Sequence, residues 1–309
     1  MTTTPIDSPI VWLHHAGQRL GLVPSLGGGI AAWQVEREDA PFDLFRPWDR
    51  LTEDRYKLAS FAMLPWSNRI SGGGFEHDGR FHPIEPNRID EPYPIHGDGW
   101  LQPWECNQPA PDTLELRLES HRFAGNPYDY SALQRFVLVE GGLDQEVAIT
   151  HLGDDPLPYG LGLHPWFPRS DRTRLTAPVR GVWLSGDDPL PTRHTREFPP
   201  TWNLTEGIAT LGSFIDNAYT GWSGEAFIDW PEAGLRLNMS VPAMRPAPGA
   251  EPDALCLLYR PPEGETFCFE PVTQPIDAFH LPGRPGLKVL KRGEAMSLAV
   301  QWRWQDLPG

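Results

Sequence analysis

The chain is short of cysteine, of positive charge and of long apolar runs, and each shortage excludes something. Three cysteines among 309 residues, Cys106, Cys256 and Cys268, form no C-x-x-C pair and cannot all be bridged. That count fits buried free thiols in a reducing compartment, so a cytoplasmic location is expected. Lys and Arg number 26 against 41 Asp and Glu, a net charge of −15. Nucleic acids and anionic membrane surfaces are met through basic patches, so neither is expected as a partner. No run approaches the roughly 18 consecutive apolar residues of a membrane-spanning helix. Met1 to Leu13 has neither a basic n-region nor a long apolar stretch, so no signal peptide is expected. Helix signals are missing as well: no stretch of about 12 residues carries an apolar stripe at helical period. The motifs G-x-x-x-x-G-K-[ST], G-x-G-x-x-G after a strand and G-x-S-x-G do not occur.

Turns and aromatic residues are plentiful. The 30 glycines and 35 prolines make up about a fifth of the chain, and both interrupt helices. The 13 Trp, 14 Phe and 7 Tyr argue against disorder, because a disordered chain is poor in large apolar side chains. Period-2 alternation dominates. Leu114, Leu116 and Leu118 alternate with Glu115, Arg117 and Glu119; Leu235 to Val241 and Ser297 to Trp304 do the same. Each pattern predicts a strand with one face on a core and one toward water. Tyr130 to Glu140 and Leu143 to His151 flank Gly141-Gly142, which predicts a hairpin with both glycines in the turn. Shorter strand-like runs lie at Val11 to His14, Arg19 to Val23, Ile30 to Arg37, Ala254 to Tyr259 and Thr266 to Phe269. The expected fold is therefore all-β, a β-sandwich or barrel with very little helix. No fixed-period repeat points to a propeller, and no linker stands out, so residues 1–309 are expected to form a single domain. Pro189 to Pro200 and Pro242 to Pro252 are expected to be surface loops.

Polar groups sit in unusually stiff or apolar surroundings in four segments. These are Leu64-Pro65-Trp66-Ser67-Asn68-Arg69-Ile70 with Gly72 to Gly74 behind it, Pro94-Ile95-His96-Gly97-Asp98-Gly99-Trp100, Gly160 to Phe167 around His164, and Phe267-Cys268-Phe269-Glu270-Pro271. Asp216, in Phe214 to Tyr219, is a weaker fifth. Pro271 should stop its strand and leave Glu270 at the strand end. There Glu270 is either a desolvated carboxylate of raised pKa and basicity, or one salt-bridged to an arginine at a sheet edge. His164 and His96 have a comparable plain reading, as core histidines satisfied by backbone carbonyls, and Arg69 has one as a loop brace. His77 and His82, around Asp78, match no metal-ligand spacing and are expected on an exposed turn. Taken together, two histidines, two carboxylates and an arginine suit acid–base work on a polyol.

In this order these segments resemble the aldose 1-epimerases, or galactose mutarotases. The resemblance rests on Asn68-Arg69-Ile70 with Gly73 and Phe75, on Ile95-His96-Gly97, on His164, on Asp216, and on Phe267-Cys268-Phe269-Glu270-Pro271, and it runs from about residue 60 to about residue 280. It implies a large antiparallel β-sandwich with a sugar cleft on its concave face. It also implies Glu270 as general base and His164 as general acid, with Asn68, Arg69, His96 and Asp216 on sugar hydroxyls and no metal or organic cofactor. Asp216 is the expected source of a charge favouring protonated His164. Of Trp66, Trp100, Trp166 and Trp222, one or two are expected to line the cleft.

The sequence departs from the commonest family pattern where Pro165-Trp166-Phe167-Pro168 follows His164 and where Asn217 follows Asp216. The preferred sugar therefore stays open, and hexose 6-phosphates or other anionic sugars would need extra basic groups, for which Arg69, Arg80, Arg88 and Arg135 are candidates. Two other readings remain: a glycoside hydrolase using Asp216 and Glu270, whose carboxyls would stand about 5–5.5 or 6.5–9.5 Å apart, and a carbohydrate-binding module without catalysis.

Overall fold

Alternation along the strands sorts side chains between two large sheets. The computed structural model describes residues 6–247, 249–251 and 253–307. It is 48% strand and 5% helix, with no helix of seven residues or more. A nine-stranded sheet runs Ile208–Ala209, Arg174–Thr176, Glu225–Trp230, Leu235–Ser240, Ala295–Asp306, Gly142–His151, Asp129–Val139, Thr113–His121, Glu105–Ala110. Its pairs are antiparallel. A second, eight-stranded sheet runs Pro191–Thr195, Gly181–Ser185, Ile215–Trp222, Ala254–Arg260, Thr266–Val272, Gly162–Leu163, Ala62–Met63, with Trp166–Pro168 also paired to Thr266–Val272. Val11–His15, Gln18–Val23, Gly29–Val35 and Phe42–Phe45 form a four-stranded sheet.

The alternating leucines predicted to be buried are buried. Leu114, Leu116 and Leu118, Leu235, Leu237 and Met239, and Leu298, Val300 and Trp302 enter one apolar cluster with Cys256, Leu258, Phe267 and Phe269 of the second sheet. Burial of this kind is worth roughly 1.5–3 kcal/mol per large apolar side chain. The other face of the second sheet matters for function. On Thr266–Val272, Phe267 and Phe269 point into the inter-sheet core. Cys268, Glu270 and Val272 therefore take the opposite face, where Val272 packs with Phe61, Met63, Trp100, Ala218, Leu255 and Leu257.

Four local expectations are corrected. Pro271 does not stop its strand: it pairs with Cys256, and Val272 beyond it pairs with Leu255 and with Gly162. Glu270 therefore lies inside a strand, opposite Leu257. The hairpin turn is Glu140-Gly141, because Val139 pairs with Gly142 and only Gly141 has positive φ. Pro189 to Pro200 holds the edge strand Pro191–Thr195; Pro242 to Pro252 carries a short turn at Pro242–Met244, while Pro248 and Pro252 lie outside the described residues. Asp78-Gly79 is a hairpin turn as expected, yet His82 is buried and stacked on Phe75. No helix among the described residues is long and apolar enough to cross a membrane.

Candidate active site

Strand register builds the floor of a cleft. Asp216, Tyr259, Cys268 and Trp166 are successive cross-strand partners, and Ala218, Leu257 and Glu270 form the next row. Two loop segments close over this face. Arg69 bridges to Ile95 and Leu64 bridges to Gly97. Between those bridges the His96 N–H donates to the Asn68 carbonyl (3.0 Å), and the Asn68 N–H donates to His96 Nδ1 (3.1 Å). Both residues hold positive φ, 55° and 60°, a conformation that costs a non-glycine residue about 1 kcal/mol or more. Gly97 is required here: at φ 68° a Cβ would lie 1.9 Å from the Leu64 carbonyl oxygen.

The cleft holds a cavity of about 220 Å3 lined by Asn68, Arg69, His96, His164, Asp216 and Glu270. All six sequence-predicted site residues thus meet in one place. Tyr56, Arg88, Asp90, Glu91, Ile95, Trp166 and Tyr259 complete the wall. Of the four candidate tryptophans, Trp166 lines the cavity; Trp66 and Trp222 are core residues, and Trp100 packs beneath Tyr56 and Phe61.

At the centre, His164 Nε2 lies 3.6 Å from Glu270 Oε1, both side chains being almost wholly buried. The imidazole is stacked against Phe61 at 4.8 Å and Trp166 at 5.4 Å, which fixes its plane. Burial pushes the Glu270 carboxyl well above its ordinary value, with Asp216 adding to the effect and Arg69 opposing it. Burial likewise lowers His164 to about 3. The carboxylate beside His164 is thus Glu270, whereas Asp216 is turned to Arg69 at 3.2 Å. Desolvation disfavours charge on either partner, so burial favours a carboxylic acid next to a neutral imidazole over the ion pair. His96 is neutral for the same reason, and because Nδ1 accepts from Asn68, its Nε2 carries the proton.

Four buried polar atoms of the lining have no hydrogen-bond partner: Tyr56 Oη, His164 Nδ1, Trp166 Nε1 and Glu270 Oε2. Buried polar atoms are normally paired, at a cost of about 1–3 kcal/mol each when they are not. Their concentration around one cavity marks a place built for a polar ligand. His164, Cys268 and Glu270 also offer one donor atom each within 4.8 Å of one another. A tetrahedral zinc would draw such donors to about 3.5 Å and requires thiolate and carboxylate. Burial raises both Cys268 and Glu270, which opposes the deprotonated forms a metal needs. The trio therefore fits an acid–base pair with a thiol behind it better than it fits a metal.

A sequence profile described as aldose 1-epimerase matches residues 10–303. The chain belongs to this family. An uncharacterized protein of Escherichia coli K12, YphB, is 31% identical over 254 residues, covering 78% of this chain and 83% of that one. The crystal structure of a candidate aldose 1-epimerase from the same organism superposes with a TM-score of 0.86 at 28% identity, over 97% of this chain and 99% of that one. An aldose epimerase homologue from C. elegans is 16% identical and has a TM-score of 0.79, covering 98% and 100%, which speaks for the shared fold. The family's all-β, galactose mutarotase-like architecture is the one described above.

Sequence reasoning missed Tyr56, Glu91 and Tyr259, and had Arg88 only as a candidate basic group, which the structure places in the wall. Tyr56 enters through a three-residue 3-10 turn, Arg55–Lys57, whose N-cap Asp54 accepts from the Tyr56 N–H. Arg88 and Glu91 come from a loop without regular structure. Tyr259 had a signal, its alternation two residues beyond Leu257.

Proposed function

We propose that this single domain is a mutarotase: it interconverts the α and β anomers of a hexose by opening and closing the pyranose ring. The observation that carries this reading is the buried Glu270–His164 pair, 3.6 Å apart in a cavity of about 220 Å3 with unpartnered polar atoms. Ring opening must take a proton from the C1 hydroxyl and deliver one to the ring oxygen while the C1–O bond breaks. The step starts from the ion-pair form, reached when the shared proton passes from Glu270 to His164; Glu270 then accepts the first proton and His164 gives the second. The pair then holds one proton as it did before, moved from imidazole to carboxyl.

That arrangement, neutral acid beside neutral imidazole, is the one burial favours. The site is thus matched to the open-chain aldehyde, during whose lifetime C1 turns about its bond to C2. Closure on the other face runs the two transfers backward, Glu270 returning its proton to the C1 oxygen and His164 taking the one on the ring oxygen. The net charge of the pair never changes, which suits a site that pays heavily for excess charge. The His96 Nε2–H, the Asn68 side chain and the carboxylates on Arg69 supply donors and acceptors for the remaining hydroxyls. Trp166 and Tyr56 give their rings to protein groups: Arg46 and His164 lie against Trp166, and Arg88 lies over Tyr56. Glu270 has His164 as its close partner and Asp216 is held by Arg69, an arrangement that favours this reading over a carboxylate-pair hydrolase. Three free thiols fit a cytoplasmic setting.

Polarimetry on freshly dissolved α-glucose and α-galactose tests the assignment. Catalytic amounts of protein should bring the rotation to equilibrium faster than buffer alone. An unchanged rate with sugar binding intact would leave a binding module, and reducing sugar released from a glycoside would make it a hydrolase.

A further inference from the structure

We propose, resting on the reading above, that Glu91 determines specificity by reserving the cleft for neutral aldoses and turning away sugars that carry a phosphate or carboxylate. Phosphate and carboxylate groups are recognised by a guanidinium whose fork of parallel N–H donors is free to point at them. Among the described residues, two guanidinium groups line the cavity, and both forks are already filled. Arg69 donates from Nε to Glu91 Oε1 and from Nη2 to Glu91 Oε2, each at 2.9 Å. Its Nη1 donates to Asp216 Oδ2 at 3.2 Å and toward Asn68 Oδ1 at 3.4 Å. Arg88 pairs through Nε with Asp90 Oδ1 at 2.6 Å and through Nη1 with Asp54 Oδ1 at 3.3 Å, its plane lying 3.9 Å over Tyr56.

The charge balance points the same way. Two arginines in the wall face three carboxylates, Asp90, Glu91 and Asp216, even with Glu270 left out as a neutral acid. Of the other basic candidates, Arg80 pairs with Asp155 and Arg135 with Glu115, and neither lines the cavity. An incoming anion would therefore have to displace a carboxylate from Arg69 while entering a wall of surplus negative charge. A neutral polyol meets the opposite situation, since carboxylates fixed by a guanidinium are strong acceptors for hydroxyl donors.

Glu91 rather than Asp216 is the determinant. It takes the fork, leaving Asp216 one nitrogen, and it comes from a loop outside the sheet. That loop is held in place at both ends. Asn87 donates to the Ile95 and Gly97 carbonyls at 2.8 and 2.7 Å and accepts from the Ile95 N–H at 2.8 Å, while Tyr93 Oη donates to Asp188 at 2.7 Å. The same loop thus braces the flanks of His96 and delivers the carboxylate that closes Arg69.

The test compares glucose with glucose 6-phosphate in wild type, Glu91→Gln and Glu91→Ala, by catalysed anomerisation and by calorimetric binding. Wild type should favour glucose by 100-fold or more in kcat/KM and in affinity. Both variants should narrow that ratio at least tenfold, through a gain on the phosphorylated sugar, with unchanged melting temperatures showing that the fold is kept. Equal handling of the two sugars by wild type would overturn the proposal, as would an unaltered ratio in the variants. Selective binding without faster anomerisation would sink the mutarotase reading and leave the role of Glu91 standing; no binding of either sugar would end both.

Discussion

Two buried carboxyls of this fold, Asp98 and Glu270, are treated in opposite ways. Asp98, two residues beyond His96, is fully provided for. Its Oδ1 accepts from Tyr130 Oη, its Oδ2 accepts from Asn126 Nδ2 at 2.5 Å, and its N–H donates to the Leu64 carbonyl at 3.0 Å. Burial raises it to about 6, while those donors pull the other way. Glu270 is as deeply buried, yet Oε2 has no partner and its nearest polar neighbour is His164. One carboxyl braces the loop that carries His96; the other is left with capacity for something that arrives. The difference separates structure from chemistry more sharply than functional group or burial does, because both are shared here.

Substitutions test that separation. Glu270→Gln keeps shape and removes the proton acceptor, so kcat/KM for anomerisation should fall about 10^3–10^4-fold, the upper part of the usual range of about 10^2–10^4-fold for general acid–base catalysis, with the melting temperature within a few degrees of wild type. Asp98→Asn should do the reverse, losing less than tenfold in activity and a measurable part of the stability. If Asp98→Asn cost as much activity as Glu270→Gln, the two carboxyls would not differ in kind. His164→Asn should cost about 10^2–10^3-fold, again with the fold kept. The pH profile carries the same information. The pair works with one shared proton, and it gains a second only near pH 3, where His164 is protonated. Activity per folded molecule should thus not fall on acidification from about pH 6.5 to 5, where an ordinary histidine takes up its proton. A loss on acidification with a midpoint near 6 would contradict the lowering of His164.

The fold was readable because each strand records, at period 2, which of its faces meets the core; Leu114 to Leu118 and Leu298 to Trp302 needed nothing more. The six residues that meet in the cavity were readable for a related reason, since a carboxylate after Phe267-Cys268-Phe269, or a histidine after Gly160 to Leu163, stands out against an apolar strand. Glu91 and Tyr56 gave no such contrast, being polar residues in polar segments whose approach to Arg69 and His96 depends on long-range packing. Pro271 misled because its missing N–H suggests an end, whereas Val272 resumes pairing on both sides of the strand. The charge on His164 misled for a deeper reason: sequence placed Asp216 and Glu270 in one site but could not say which of them the register would set beside it.

The smallest expected effect falls on stability rather than activity. Asp98 has a folded-state value of about 6, against about 3.9 for an unfolded aspartate. The folded state therefore binds this proton more tightly than the unfolded chain between those values. The contribution is fully present below about pH 4, declines as pH rises toward 6, and is gone above it, a loss of about 3 kcal/mol. Asp98→Asn cannot titrate, and it sets an amide nitrogen against a donor of its surroundings, so it should be less stable than wild type at low pH. Denaturant unfolding of both proteins should show the gap narrowing between pH 4 and pH 7 by roughly that amount. Parallel stability curves would mean that Tyr130 and Asn126 hold Asp98 ionised throughout, and the two buried carboxyls would then differ in charge as well as in pairing.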